Sequence, residues 1–424
     1  MCFVYLKFYI LVSNNVKTIR LNTFIFHFLS VAILYGAFVF IIKRFKIRFL
    51  DVSGSQYVIL GMLLSFFLGD IGGSIKTQIE PMVWFCIGLI GFRYGLDFKF
   101  VDFGKNNPLG YKLALFDIVV TFSVIFGVLA LIMIYIFHRD PFSEQSLLFI
   151  LPVCVIGIVS SLSAIKNIHN DYLTDGSISG FALQTIQFQQ IIALILFGII
   201  LLIFHKENPV FLLKLNSSGW TFVNLFLPIF IGFFYQVVLG LMEDEKSLKV
   251  LVFAFIAINT GVALILNFSP ILFNLVSAIV LGNTSVYTDR IIGDIKHVYK
   301  TVVSIILIYA GYTIELITPI SLVVLFLGYL VARLLGKTFG QSVALNFISE
   351  TKSITHKISW LFMSQGRIAI VLAISFYHFF PSEWSMIVLT ISFFSVVLFE
   401  FLGLKLYRDL LIDEEEIIVE ESVT

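Results

Sequence analysis

Charge is scarce in this chain. Asp, Glu, Lys and Arg make up 13% of the 424 residues against 59% apolar ones, and 28 basic side chains nearly cancel 27 acidic ones. So thin a polar complement cannot cover a soluble domain of this length. A balance of +1 offers no field to draw nucleic acid. Cysteine is scarcer still. Cys2, Cys86 and Cys154 are the full set, the last two inside apolar runs, which argues against a disulfide framework and a metal cluster. No nucleotide loop, HExxH or GxSxG occurs, and His138 and His169 read as loop residues without metal spacing. Neither an enzyme, a resident metal nor a cofactor is expected. Residues 1–20 lack a basic n-region and a small-residue cleavage site, so they read as an N-terminal extension and not as a signal peptide.

What the sequence has in abundance is apolar runs of membrane-spanning length. Thirteen segments stand out: 21–42, 56–70, 81–97, 111–137, 146–166, 178–204, 219–242, 248–267, 270–284, 299–316, 319–344, 358–380 and 384–407. No loop between them could hold a soluble domain. The expected organisation is therefore an extension over 1–20, a transmembrane domain over 21–407, and an acidic cytoplasmic tail over 408–424. The tail carries Asp413, Glu414, Glu415, Glu416, Glu420 and Glu421 and reads as solvated. Lys43, Arg44, Lys46, Arg48, Lys99, Lys105, Arg290, Lys296, Lys352 and Lys357 lie in odd-numbered loops, whereas the loops after segments 8, 10 and 12 hold no Lys or Arg. The positive-inside rule then puts the N-terminus outside and the C-terminus in the cytoplasm.

Two segments are interrupted where a bilayer is driest. Segment 5 carries Ser160, Ser161 and Ser163; segment 12 carries Ser364, Gln365, Gly366 and Arg367. Serines bonding back to their own helix and close packing by glycine would explain either one alone. Paired interruptions in two halves of a polytopic chain predict broken helices around a midplane site and an inverted repeat. Segment 6, FALQTIQFQQIIALILFGII, holds Gln184, Gln187, Gln189 and Gln190. At 100° per residue Gln184, Gln187 and Gln190 share one face and Gln189 points elsewhere. Plain interhelical hydrogen bonding is the simpler account of such a cluster.

Several further stretches carry a resemblance: GLD at 95–97, the Gly282-Asn283 pair closing GVALILNFSPILFNLVSAIVLGN, KTVVSIILIYAGYTIEL with Gly311, YLVARLLGKTFG, MSQGRIAIVLAISF, and VVLFEFLGLKLYRDLL. In order and spacing, over about residues 25–410, the chain resembles the cation:proton antiporter superfamily, the sodium/proton exchanger fold. The resemblance implies an all-α polytopic membrane protein of about 13 transmembrane helices, with an inverted repeat and two broken crossing helices. Segments 5, 6, 12 and 13 would belong to a mobile core (about 146–204 and 358–407), and segments 1–3 with 8–10 to a scaffold. It further implies a homodimer in the lipid bilayer of a bacterial cytoplasmic membrane, moving a monovalent cation against protons.

The family's acidic pair on segment 6 falls on Gln189 and Gln190. An amide offers a carbonyl oxygen and two N–H donors but does not titrate near neutrality, so it cannot exchange a proton for a cation. The candidate ion- or substrate-binding residues are Gln187, Gln189, Gln190, Ser160, Ser161, Ser163, Ser364, Gln365 and Arg333, the last in the family's basic position. Asp117 and Glu400 are candidate titrating groups. Arg333 needs compensation from Gln187 and Gln190 carbonyls, an anion, water or a distant acid, while Lys337 suits snorkelling. Arg93 and Arg367 are further charges inside apolar segments, with Asp70, Asp97, Asp117, Glu315 and Glu400 as potential partners. Altered or lost proton coupling, an anion or neutral solute, and a transport-inactive component of a membrane complex are the alternatives.

Overall fold

The computed structural model describes residues 54–68, 72–101, 108–172, 177–204, 217–241, 245–314, 320–347 and 356–417. The 1–20 extension, segment 21–42, Asp70 and Glu315 lie outside them. The described residues form α1 (Ser55–Leu68), α2 (Gly72–Asp97), α3 (Pro108–Tyr135), α4 (Glu144–Ile158), α5 (Leu162–Tyr172), α6 (Ser177–Ile203), α7 (Ser217–Gly240), α8 (Glu245–Ile265), α9 (Pro270–Thr284), α10 (Thr288–Thr313), α11 (Ile320–Phe347), α12 (Arg367–Phe379) and α13 (Glu383–Asp413), with a 3-10 helix over His356–Phe362 before α12. Twelve of the thirteen expected segments are thus helical and the other falls on undescribed residues. Among the described residues, eight helices are long and apolar enough to cross a membrane. Phe222, Phe226, Phe230 and Phe234 repeat every fourth residue along one exposed face of α7, a surface suited to lipid. The chain is an integral, multi-pass membrane protein.

Polar residues place the helix starts. Ser143 caps α4, Ser269 precedes Pro270 at the head of α9, and Ser382 forms a capping box with Ser385 on α13. Packing divides the helices into two bundles. One holds α1, α2 and α7–α10; the other holds α3–α6, the 3-10 helix and α11–α13. They meet chiefly where α10 packs on α12 and α6 on α9 and α2. The second bundle is two copies of one motif in opposite senses: α3, the α4–α5 pair and α6, then α11, the 3-10 helix with α12, and α13. In both, the middle element is interrupted, at Val159–Ser161 and at Met363–Gly366.

Two boundaries differ from the sequence reading. His169 lies in the last turn of α5 and not in a loop. The acidic run that begins at Asp413 is not solvated throughout. Helix α13 runs on to Asp413, Glu415 takes a left-handed conformation (φ 59°), and the chain folds back. Ile417 is then buried with Leu113, Ile165, Ile186, Leu361 and Tyr407. The Glu416 carboxylate accepts the Ile178 and Ser179 backbone N–H groups at 2.6 and 3.2 Å, capping the start of α6. The sequence shows a run of glutamates; it does not show that one of them has helix donors within reach.

Candidate functional site

The two interruptions meet. The Ser161 N–H donates to the Ser364 carbonyl at 3.1 Å, joining one broken element to the other. Close approach needs small residues on both sides. Gly366 lies against Ser161, and a side chain at Gly403 of α13 would run into the Ser364 backbone. Breaking a helix in an apolar interior leaves carbonyls without partners at its C-terminal end and N–H groups without partners at its N-terminal end, with partial charges to match. The crossing brings two such C-terminal ends together, and two N-terminal ends.

Arg333 serves the C-terminal ends. It is fully buried. Its Nε donates to Gly157 O at 3.1 Å, Nη1 to Met363 O at 2.8 Å, and Nη2 to Val159 O and Ser364 O at 3.2 and 3.3 Å. The guanidinium lies 4.3 Å from the Phe399 ring centre. Main-chain carbonyls of both broken elements therefore take up its donors, in place of the Gln187 and Gln190 carbonyls, while Asp117 and Glu400 act on its charge from a distance. A planar fork of N–H groups suits this task in a way an ammonium does not.

Lys337, one turn on, does not snorkel. It is fully buried, and its Nζ donates to Asp117 Oδ2 at 2.6 Å, Ile158 O at 2.6 Å and Ser160 Oγ at 3.1 Å. Asp117 on α3 is also without exposure, and its Oδ2 accepts a further bond from Gln189 Nε2. A charge this deep is tolerable because both members of the pair are present. The helices come close enough because α11 presents Gly336 to Thr121 and Gly340 to Asp117. Among the described residues, Asp117 Oδ1, Thr121 Oγ1 and Gln189 Oε1 have no hydrogen-bond partner.

Of the glutamines, Gln190 (2% exposed) ties the two bundles together. Its Nε2 donates to Ser160 O at 2.7 Å and its Oε1 accepts from Tyr94 Oη of α2 at 2.9 Å. Gln189 points away toward Asp117, as the helical wheel requires. Gln187 is half-buried and takes no part in this network among the described residues. Ser160 Oγ donates to Phe362 O at 3.1 Å. Gln365 Nε2 donates to Ile156 O at 3.1 Å and to Tyr329 Oη at 3.0 Å, leaving its Oε1 unpartnered.

The N-terminal ends have a different partner. Ser161 Oγ caps α5 by accepting from Ala164 N at 3.2 Å, donates to Glu400 Oε1 at 2.8 Å, and lies 3.0 Å from Ser163 Oγ. Glu400 is fully buried, and its Oε2 has no hydrogen-bond partner among the described residues. Arg367 is the first residue of α12, half-buried, with no hydrogen bond or ion pair among the described residues. Arg93 pairs with Asp97 one turn along α2. Tyr94, Tyr329, Phe399 and Gly403 went unnoticed in the sequence. The tyrosines look like ordinary interface aromatics, and only the position of Gly403, three residues past Glu400, hinted at a close approach.

An inverted pair of three-helix motifs whose broken middle elements cross beside α6 defines the sodium/proton antiporter fold. Among solved structures, the chain is similar to the sodium proton antiporter MjNhaP1 from Methanocaldococcus jannaschii at pH 8. The TM-score is 0.63 at 14% identity, over 92% of this chain and 98% of that one. An electron-microscopy structure of the same antiporter gives 0.59 at 13% identity, over 90% and 95% of the two chains. No protein-family model and no curated protein matches the chain. The likeness is one of fold.

Proposed function

We propose that the chain is a secondary-active transporter working by alternating access. It exchanges a monovalent cation for protons, with the proton-carrying carboxylate moved from α6 to Asp117 on α3. The observation that carries this reading is the buried Asp117–Lys337 pair beside the crossing (2.6 Å, both side chains without exposure). The α6 positions where the family has acids are Gln189 and Gln190. Asp117 has two available states. As a carboxylate it holds Lys337 and Gln189. As a carboxylic acid it carries its proton on an oxygen while Lys337 keeps its bonds to Ile158 O and Ser160 Oγ. A cation entering between the bundles meets Gln190 and Tyr94, and Ser160 links that point to Lys337 through its carbonyl and hydroxyl. By charge alone the cation favours the ionised Asp117 and expels the proton. The bundle of α3–α6 with α11–α13 is the moving part in this reading, and the bundle of α1, α2 and α7–α10 the scaffold. The Lys/Arg-rich odd loops support an outside N-terminus and a cytoplasmic C-terminus in a bacterial cytoplasmic membrane, and the resemblance supports a homodimer.

The test uses liposomes holding a pH-sensitive dye, with Na⁺, K⁺ or Li⁺ added outside. The unaltered protein should give a cation-driven dye response that Asp117→Asn abolishes. A response that survives Asp117→Asn overturns the assignment. One observation favours a second reading. The half-buried, unpaired Arg367 at the head of α12 is a donor for an anion, and a dye response driven by anions and not by cations would support it.

A further inference from the structure

Glu400 is the second acid buried at the crossing, and its setting is the reverse of that of Asp117. No ammonium or guanidinium lies within ion-pair distance of it among the described residues. Its Oε1 accepts one hydroxyl, from Ser161, and its Oε2 accepts nothing. A carboxylate at zero exposure with half its acceptor capacity idle is costly to keep ionised. The surroundings offset part of that cost. The N-terminal ends of α5 and α12 lie beside it, and the cations that face it are Arg333 from α11 and Arg367 from α12. The α4, α5 and 3-10 elements packed on α13 place no charge that acts on Glu400, and its hydrogen-bond donor is the hydroxyl of Ser161, in the break between α4 and α5. Arg333 spends its donors on carbonyls. The group is thus placed where either protonation state can be held.

A route for the proton is also present. Ser161 Oγ touches both Glu400 Oε1 and Ser163 Oγ, and Ser163, in the first turn of α5, is half-buried where Ser161 is fully buried. We propose that Glu400 is a second proton-binding site of this protein, filled and emptied through the Ser163–Ser161 hydroxyl pair. In the ionised state Ser163 donates to Ser161, and Ser161 to Glu400. On protonation Ser163 Oγ takes a proton from a hydronium ion, which is left as water, and passes its own to Ser161 Oγ, which passes its own to Glu400 Oε1. The carboxylate becomes a carboxylic acid, and both hydroxyls end intact with their bonds reversed. This inference rests on the reading of the chain as a proton-coupled transporter, but its test does not use transport.

The test is a pH titration of the purified full chain by infrared spectroscopy, reading the carbonyl band of protonated carboxyl groups. The unaltered protein should show a buried carboxyl band that Glu400→Gln removes and Asp117→Asn leaves in place. Ser161→Ala should shift that band, because the hydroxyl partner is gone, and Ser163→Ala should slow its appearance after a pH jump. If Glu400→Gln does not fold, Glu400→Asp serves in its place and must move the band. A band that neither substitution alters, or no such band at any pH, overturns the proposal. Loss of the dye response in Asp117→Asn with the Glu400 band intact would leave both readings standing. A cation-insensitive dye with the band intact would sink the coupling reading alone.

Discussion

Arg333 and Lys337 stand one turn apart on α11, both without exposure, yet they face opposite kinds of partner. Arg333 meets only neutral oxygens, the carbonyls at the C-terminal ends of two broken helices. Lys337 meets a full negative charge on a helix of the other repeat. Backbone carbonyls cannot take up a proton, so the charge on Arg333 is fixed in every state of the molecule. A carboxylate can, so the charge balance around Lys337 is able to change. The same division separates the two sides of the crossing. Every nitrogen of Arg333 on the carbonyl side donates to a carbonyl, while among the described residues Asp117, Gln189, Gln365 and Glu400 each keep an acceptor oxygen idle. The idle oxygens belong to two carboxyl groups and two amides, and of these only the carboxyl groups of Asp117 and Glu400 are able to take up a proton.

Substitutions at three basic residues would break or sharpen this contrast. The largest effect is expected at Arg333. Arg333→Leu strands the Gly157, Val159, Met363 and Ser364 carbonyls in an apolar interior and should cost about 3–5 kcal/mol, read as a fall in the thermal unfolding midpoint in detergent. Arg333→Lys should recover little of it, because a single ammonium cannot span carbonyls from two elements; full recovery would refute the clamp. Lys337→Met comes next, at about 3 kcal/mol, because it abandons Asp117 without a cation. Adding Asp117→Asn should restore much of the loss, and a double-mutant cycle showing additive effects would mean that the two are not coupled. The smallest effect is expected at Lys357. Its pair with Asp413 is about half exposed on each side (47% and 45%) at 2.5 Å, so Lys357→Ala should cost about 1 kcal/mol or less. A larger loss would show that exposure is a poor guide to what a lysine contributes here.

Much of this architecture was legible in the sequence. The spans follow from unbroken apolar length, and both crossings from serine, glutamine and glycine set where hydrocarbon allows no water to satisfy a backbone. That Gln189 and Gln190 diverge follows from 100° per residue. What could not be read is pairing across distance. Asp117 and Lys337 lie 220 residues apart, and no periodicity links them. The one clue was the Gly336–Gly340 spacing on the α11 turns that carry Lys337, the mark of a helix pressed against another. Without it Lys337 resembles any lysine near a helix end. That a buried Arg333 needs partners follows from its charge, but the groups that take its donors are main-chain atoms, which carry no sequence signature at all.

Glu416 fastens the last described turn of the chain to the first turn of α6, 238 residues earlier. In mechanical terms this is a hoop: the two repeats, connected in sequence only through the long run of α7 to α10, are cinched together at one end by a carboxylate on two amide protons. Such a tie resists the separation of α13 from α6 at this end. Flexing must then be taken up in the connections that enter and leave the hoop, and the crossing inside it is spared the bending that would pull its opposed helix ends apart.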